Sequence, residues 1–523
     1  MHEVQTVLWL LVAVVVLATA AQKVAIPYPI VLVLGGVLIG AVDFLPNVEL
    51  EPEIVFIVFL PPALFIAAAG TDWTRFRQEV RPITALAVNL VLTTMLGVAA
   101  VGVGVIAGLD WSTAFVLGAI VSPPDAVATL SIVKALPVPR RIVSILEGES
   151  LINDATALVA YRFAVAAVVS GSFSIVDAGM EFVWVVIGGI AIGTAVALAA
   201  TWFLDHFVED PSLSMVATML LPVAAYMPAE ELHASGVLAA VAAGLVYSRF
   251  AMLKLSAEAR LQVGSVARFV SFLIDGLVFI LIGLQLPAVL NNLESRSWGT
   301  LIWYGAAISV TTILIRVLWV GFAFEDRQGG PRRMRRMQLG LGQSERLVIG
   351  WAGPRGVVTL ATALALPYTT DAGTPFPERD LIIFLAFCVI LATLVGQGFT
   401  LPILIRRQKF ADDTSEEQER LTAKREIALA ALAKIDEFAN QEWISQETAN
   451  ALRGGYKRQF EQMQRMADAG DRPKLGEEKR RLFQEMMTAQ REALYRLNQD
   501  GEISDSVRRS IEHTLDLQES ART

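Results

Sequence analysis

Apolar stretches of bilayer length recur along the first 407 residues of this chain, and they leave it few ways to fold. Thirteen can be delimited: Val4–Ala21, Pro27–Val42, Ile54–Ala69, Ile83–Ala107, Trp111–Val133, Ile142–Val169, Phe182–Leu204, Leu213–Met227, Ser235–Tyr247, Val266–Leu290, Leu301–Phe324, Leu347–Leu366 and Leu381–Ile405. A hydrocarbon layer about 30 Å thick is crossed by about 20 helical residues. In a chain that is 54% hydrophobic, such stretches predict an all-α polytopic membrane protein. The first stretch lacks a basic leader and a small-residue cleavage site, so it reads as a retained membrane helix and not as a signal peptide.

After Arg407 the composition changes. Residues 408–523 hold 19 Lys+Arg and 23 Asp+Glu, about 36% of that segment, against about 13% of the preceding 407 residues. The expected organisation is a membrane domain over 1–407 and a helical cytoplasmic tail over 408–523. Within the tail, helical patterns run from Glu416 to Asn440, Glu477 to Asn498 and Gly501 to Ala521, with breaks expected at Gly454-Gly455 and Gly470-Asp471-Arg472-Pro473. The single cysteine, Cys388, excludes an internal disulfide, and the four histidines show no zinc-ligand spacing. A net charge of −8 argues against nucleic acid as a partner. No cofactor is expected.

Basic residues are unevenly distributed. The loops after even-numbered stretches hold only Arg296 and Arg379, whereas those after odd-numbered stretches hold many more, including Arg332, Arg333, Arg335 and Arg336 in one loop. Lys and Arg accumulate on the cytoplasmic side of membrane proteins. This places the N-terminus outside and the tail in the cytoplasm.

Two stretches are interrupted. The fifth carries Ser122-Pro123-Pro124-Asp125 and the twelfth Gly353-Pro354-Arg355-Gly356. Proline removes a backbone donor and disfavours helix in the residue before it. The two lie seven stretches apart, an odd offset, so they cross the membrane in opposite directions. Paired interrupted helices in opposed halves point to an inverted-repeat transporter with a midplane site.

Asp125, Glu147, Glu149, Asp154, Asp275, Arg162, Arg316 and Arg355 all fall within apolar stretches. A charge at a helix centre costs roughly 2.5–3.5 kcal/mol on insertion scales, so these eight would cost roughly 20 kcal/mol or more if left unpaired. Such groups mark ion pathways. Ser150 and Asp154 are four apart and share a helix face, where a hydroxyl and a carboxylate suit a small hard cation such as Na⁺. Asp125 could add a ligand directly or through water, and carbonyls freed at the Pro123-Pro124 break could add more. A proton and Na⁺ would then compete for one anionic site. Asp125 could equally compensate the positive helix ends at the break. Asp275 could line a water-filled route or simply pair, Glu147 is expected near the cytoplasmic mouth, and Arg162 is expected to snorkel to the outer interface.

The combination of Glu149-Ser150-Leu151-Ile152-Asn153-Asp154, the proline-rich break before Asp125, and Gly353-Pro354-Arg355-Gly356 resembles the bacterial Na⁺/H⁺ exchangers of the monovalent cation/proton antiporter superfamily, in the branch with an Asn-Asp motif. The resemblance covers essentially the whole chain and implies thirteen helices in inverted repeats. It implies a six-helix ion-carrying core (about 83–169 and 301–405), a dimerisation domain (about 4–69 and 182–290), a homodimer in lipid, and elevator-like alternating access. By matching motif it makes Asp154 the carboxylate shared by cation and proton, Ser150 a ligand, Asp125 an indirect ligand and the Pro124 carbonyl a backbone ligand. Asn153 stabilises the core, Glu149 pairs with Arg355, and Arg316 balances core negative charge. The resemblance also implies electroneutral exchange, since Asn153 carries no proton beside Asp154.

Two departures concern ion preference. Where the family has Thr-Asp-Pro, this chain has Pro124-Asp125-Ala126. Where many relatives place an acid after Leu-Pro-Pro-x-x-Phe, Leu60–Phe65 is followed by Ile66. The expected function is a secondary antiporter exchanging Na⁺ for H⁺ in the inner cell membrane, with a K⁺/H⁺ or broad monovalent cation/H⁺ antiporter as the alternative. A membrane-embedded enzyme is a remote alternative. It would need a nucleophile–His pair or metal ligands, and His233, the nearest candidate, has neither in its motif.

Overall fold

The computed structural model describes residues 2–24, 26–42, 55–171, 175–251, 257–291, 293, 296–323, 341–408, 410, 415–439 and 445–468, with scattered positions from 486 to 515. Among these residues there is no β-strand, only an isolated bridge between Thr369 and Pro375. The helices are α1 (His2–Val24), α2 (Tyr28–Ala41), α3 (Val55–Gly70), α4 (Trp73–Gln78), α5 (Val80–Val105), α6 (Trp111–Val121), α7 (Ala126–Val133), α8 (Arg140–Ser170), α9 (Ile175–Phe207), α10 (Pro211–Glu231), α11 (Gly236–Phe250), α12 (Ala257–Leu284), α13 (Leu286–Asn291), α14 (Trp298–Ala323), α15 (Gln343–Trp351), α16 (Val357–Leu364) and α17 (Arg379–Arg407). By length and composition, eight of these contain a segment able to cross a bilayer unaided. α2, α3, α6 and α11 are shorter apolar helices. Both expected interruptions are present, as α6–break–α7 and α15–break–α16.

Helix starts follow their capping chemistry. Asp72, Asp110, Asp210 and Ser235 each accept backbone N–H groups from the first turn of the helix they precede, satisfying donors that a helix leaves orphaned. Among the described residues the apolar faces pack into five buried groups, two of which contrast in the helices they join. One joins residues of α5, α6, α8, α14, α16 and α17, among them Leu117, Ile308, Leu381 and Leu385. The other joins α3, α9, α10, α11 and α12 through Phe65, Ala225, Ala239 and Tyr247. Small residues let backbones meet where helices cross most closely. A Cβ built at Gly283 of α12 would collide with backbone atoms of Val33, Gly36 and Val37 in α2, and one at Gly36 would strike the Ile280 carbonyl. Small residues of this kind permit close helix approach in membranes.

The remainder, Asp412–Thr523, forms a separate compact unit. Its helices α18 (Ser415–Phe438) and α19 (Gln446–Asp468) pair, with Ala428 and Ala449 buried and an Arg453–Asp436 ion pair between them. The break expected at Gly454-Gly455 is not there, because α19 runs through it. Two glycines cost a helix about 1 kcal/mol each relative to alanine, and packing against α18 outweighs that. The break at Gly470–Pro473 lies outside the described residues, as does most of the two later helical patterns.

Replacing Gly283 by valine inserts a branched side chain where two backbones touch. Overpacking of this kind typically costs about 1–3 kcal/mol, so Gly283→Val is expected to unfold several degrees below the unchanged protein in detergent. Gly104→Val, at a position with nothing within 4 Å of an added Cβ, is expected to unfold at the unchanged temperature.

Candidate cation site

The two broken helices meet at their breaks. The Asp125 amide donates to the Pro354 carbonyl at 2.7 Å. The Asp125 carboxylate serves two helices at once: Oδ1 accepts the Ala128 amide of α7 at 3.1 Å, and Oδ2 accepts the Val357 amide of α16 at 3.1 Å. Both helices begin at the breaks, so one acid caps two positive helix ends. Gly356 is required beside it, since a Cβ there would overlap the carboxylate.

Arg355 does the converse at the carbonyl end of α6. Its Nε donates to the Val121 carbonyl at 3.1 Å and its Nη2 to that of Ser122 at 3.4 Å, while Nη1 donates to the Gly353 carbonyl. Its amide is held by Thr393 Oγ1 at 2.9 Å. Asn153 Nδ2 of α8 donates to the Pro124 carbonyl at 3.3 Å, so this expected ligand already carries one hydrogen bond.

The expected Glu149–Arg355 pair does not form. Glu149 receives Arg316 of α14 instead, through two bonds of 2.5 and 2.8 Å with both side chains at most 2% exposed. The reason is geometric: Arg355 is occupied by carbonyls that the break of α6 strands, whereas Arg316 presents two parallel N–H groups to both oxygens. Arg316 Nε also reaches the Ile349 carbonyl at 3.2 Å.

Asp154 differs from these acids. It is 7% exposed, yet among the described residues its carboxylate makes no hydrogen bond and no ion pair. It lines a cavity of about 290 Å³ together with Ser150, Asp125 and Pro124, so the four expected ion-binding positions share one space. The cavity extends to Gly70, Thr71, Lys134 and Glu147. Near that end Glu147 is paired with Lys134 at 2.7 Å. Ile66, the position lacking an acid, also lines the cavity.

Asp275 of α12 enters the same cavity and accepts a bond of 3.3 Å from the Tyr28 hydroxyl of α2. Arg162 is paired with Glu230 of α10 at 2.6 Å with its side chain 45% exposed, so it has a specific partner besides water. Glu230 Oε1 also accepts the Gly236 amide, at 3.0 Å. His233 sits in an exposed turn with φ of 56°.

Three participants escaped the sequence reading: Tyr28, Thr393 and Thr359. Thr359 is 1% exposed, lines the cavity, and leaves its hydroxyl without a partner. Its position six residues after Gly353, in the first turn of α16, was the available signal.

Comparisons with known proteins give the family of the chain. A sequence model of the family described as "Sodium/hydrogen exchanger, transmembrane" matches residues 10–407. The chain belongs to that family. A Mycobacterium tuberculosis protein named as an uncharacterized Na⁺/H⁺ exchanger is 32% identical over 98% of this chain and 94% of its own length. A Bacillus subtilis protein named a sodium, potassium, lithium and rubidium/H⁺ antiporter is 32% identical over 92% of this chain and 72% of its own. Among solved structures, the sodium proton antiporter MjNhaP1 of Methanocaldococcus jannaschii aligns with a TM-score of 0.61 and 18% identity, covering 78% of this chain and 99% of that one. The family's fold is therefore present, in a multi-pass membrane protein.

Removing one member of a buried ion pair typically costs ~3–5 kcal/mol, because the other charge is left uncompensated. A double-mutant cycle on thermal unfolding is expected to give coupling of at least about 1 kcal/mol between Glu149 and Arg316. It should give markedly less between Glu149 and Arg355. The reverse ranking would overturn the pairing described above.

Proposed function

We propose that this chain is a secondary transporter that exchanges Na⁺ for H⁺ across the cell membrane by alternating access. The observation that carries the reading is the unpartnered Asp154 carboxylate on a cavity shared with Ser150, Asp125 and Pro124. A carboxylate buried this far inside the helices needs a counter-charge or a proton. The fixed charges around it are engaged elsewhere: Arg316 with Glu149, Arg355 with carbonyls, and Asp125 with two amides. A mobile ion is what remains to neutralise Asp154, and Na⁺ and H⁺ satisfy it in turn. Ser150, one turn earlier on the same helix, supplies a neutral oxygen ligand. Asp125 acts on the ion through the cavity while holding the crossing together.

Arg332, Arg333, Arg335 and Arg336 support a cytoplasmic position for the side on which the cavity reaches Thr71 and Lys134. On this reading the N-terminus is outside, the tail is cytoplasmic, and the cavity opens inward. The helices of 83–169 and 301–405 carry the ion. Those of 4–69 and 182–290 form the support and the interface of a homodimer in the inner membrane.

A broader cation range is the second reading. It is favoured by Ile66, which presents an apolar surface to the cavity where the family resemblance implies an acid in many relatives, and by the range in the name of the Bacillus subtilis relative.

Asp154→Asn preserves shape but can neither lose a proton nor balance Na⁺. Proteoliposomes carrying it are expected to show no pH-dye response to Na⁺, K⁺ or Li⁺, with expression and unfolding temperature retained. Transport at the unchanged rate would sink the mechanism.

With one exchangeable carboxylate, each cycle moves one positive charge each way. The equilibrium point of Na⁺-driven H⁺ flux should stay fixed when a valinomycin–K⁺ clamp imposes a voltage. A reversal point that moves with voltage would reveal a second transported charge.

A further inference from the structure

A second cavity lies away from the cation site, where α14, α15 and α17 come together. Its volume is about 660 Å³, more than twice the 290 Å³ of the cavity at Asp154. Three helix ends meet there: Gly321 is in the last turn of α14, Gln343 opens α15, and Arg407 closes α17. This is the end of the bundle adjoining the basic connection between α14 and α15, and hence the cytoplasmic interface on the proposed orientation.

The lining divides by chemistry. Leu347 and Ile403 are 44% and 54% exposed, a surface suited to an acyl chain and not to water. Trp351 lies one turn beyond Leu347, farther from the arginines, its indole nitrogen donating to Thr400 Oγ1 at 2.8 Å. Among the described residues the charged lining consists of Arg346 and Arg407, with no Asp or Glu.

Among the described residues neither arginine has a carboxylate partner. Arg346 Nη1 donates to the Gly321 carbonyl at 3.3 Å, but its Nε is buried without a hydrogen-bond partner. The neighbouring acid, Glu345, is turned to the Gly342 amide at 2.8 Å and to Arg141 at 3.8 Å. Among the described residues no carboxylate pairs with Arg407. The N-terminal end of α15 adds its own positive potential at Gln343.

We propose that this cleft binds an anionic phospholipid, its phosphate between Arg346 and Arg407 and one acyl chain along Leu347 and Ile403. Two arginines, a spare buried N–H and an apolar slot open to the hydrocarbon match the two parts of such a lipid. Basic pockets between membrane helices on the cytoplasmic side recognise anionic headgroups by the same physics. A water-soluble anion would have no use for the exposed leucine and isoleucine. Because α14, α15 and α17 carry Arg316, the second break and Thr393, a lipid seated here touches the helices that build the cation site.

The test uses the full chain, purified in detergent and stripped of lipid, then titrated with dioleoylphosphatidylglycerol or dioleoylphosphatidylcholine while thermal unfolding is followed. The phosphatidylglycerol is expected to raise the unfolding temperature more than the zwitterionic lipid. The variant R346Q/R407Q should lose roughly tenfold in its preference for the anionic lipid. R407Q alone, at an exposed position, should lose part of it and guards against a folding defect at Arg346. Gly321→Phe fills the cleft from a position where an added Cβ meets nothing within 4 Å, and should weaken both lipids. Equal responses to the two lipids, an undiminished preference in R346Q/R407Q, or the same protection by glycerol 3-phosphate alone would each overturn the proposal.

Discussion

Everything in the membrane domain depends on how two broken helices are reconciled with lipid. A helix interrupted inside a bilayer strands amides at the start of one half and carbonyls at the end of the other, and no water is at hand to bond them. Here the two interruptions solve the problem for each other. An acid from the first break caps the second, and an arginine from the second break satisfies the carbonyls of the first. The exchange is reciprocal, and the amide of Asp125 closes it by bonding the Pro354 carbonyl. Each break thus supplies partners for the groups the other strands, and each carries one charged residue of opposite sign to do so.

This arrangement frees one acid by occupying the rest. Glu149 and Asp154 sit five residues apart on α8 and meet opposite fates. Glu149 faces Arg316 and is locked by a two-pronged bond; Asp154 faces the cavity and is bonded to nothing among the described residues. Helical spacing of 100° per residue separates the faces, so one helix supplies both a strut and an exchangeable site. The large buried arginines serve the architecture, leaving the field at Asp154 to be answered by whatever diffuses in.

Much of this was legible in the residues. Apolar length marked the helices, prolines marked both breaks, and the four-residue spacing of Ser150 and Asp154 placed them on one cavity. Charge identity alone could not say which arginine meets Glu149, because Arg316 lies 167 positions away and Arg355 206 positions away. That choice follows from the three-dimensional fact that Arg355 already has carbonyls to satisfy. Asp125 illustrates the same limit from the other side: capping and ion contact looked like alternatives, yet its two oxygens cap helices while the residue still lines the cavity. In the tail, glycine propensity suggested a break at Gly454, and partner packing overrode it.

The contact between Arg162 and Glu230 carries a mechanical consequence. It clasps α8, which bears Asp154, to α10, and any sliding of one helix along the other must open it. Opening strands neither side. Glu230 keeps the amide of Gly236, and Arg162 already has nearly half of its side chain in contact with the surroundings. A clasp whose halves remain solvated or bonded when apart holds position at rest yet offers little resistance to travel, unlike the dry Arg316–Glu149 strut, which must move as one piece with its helices.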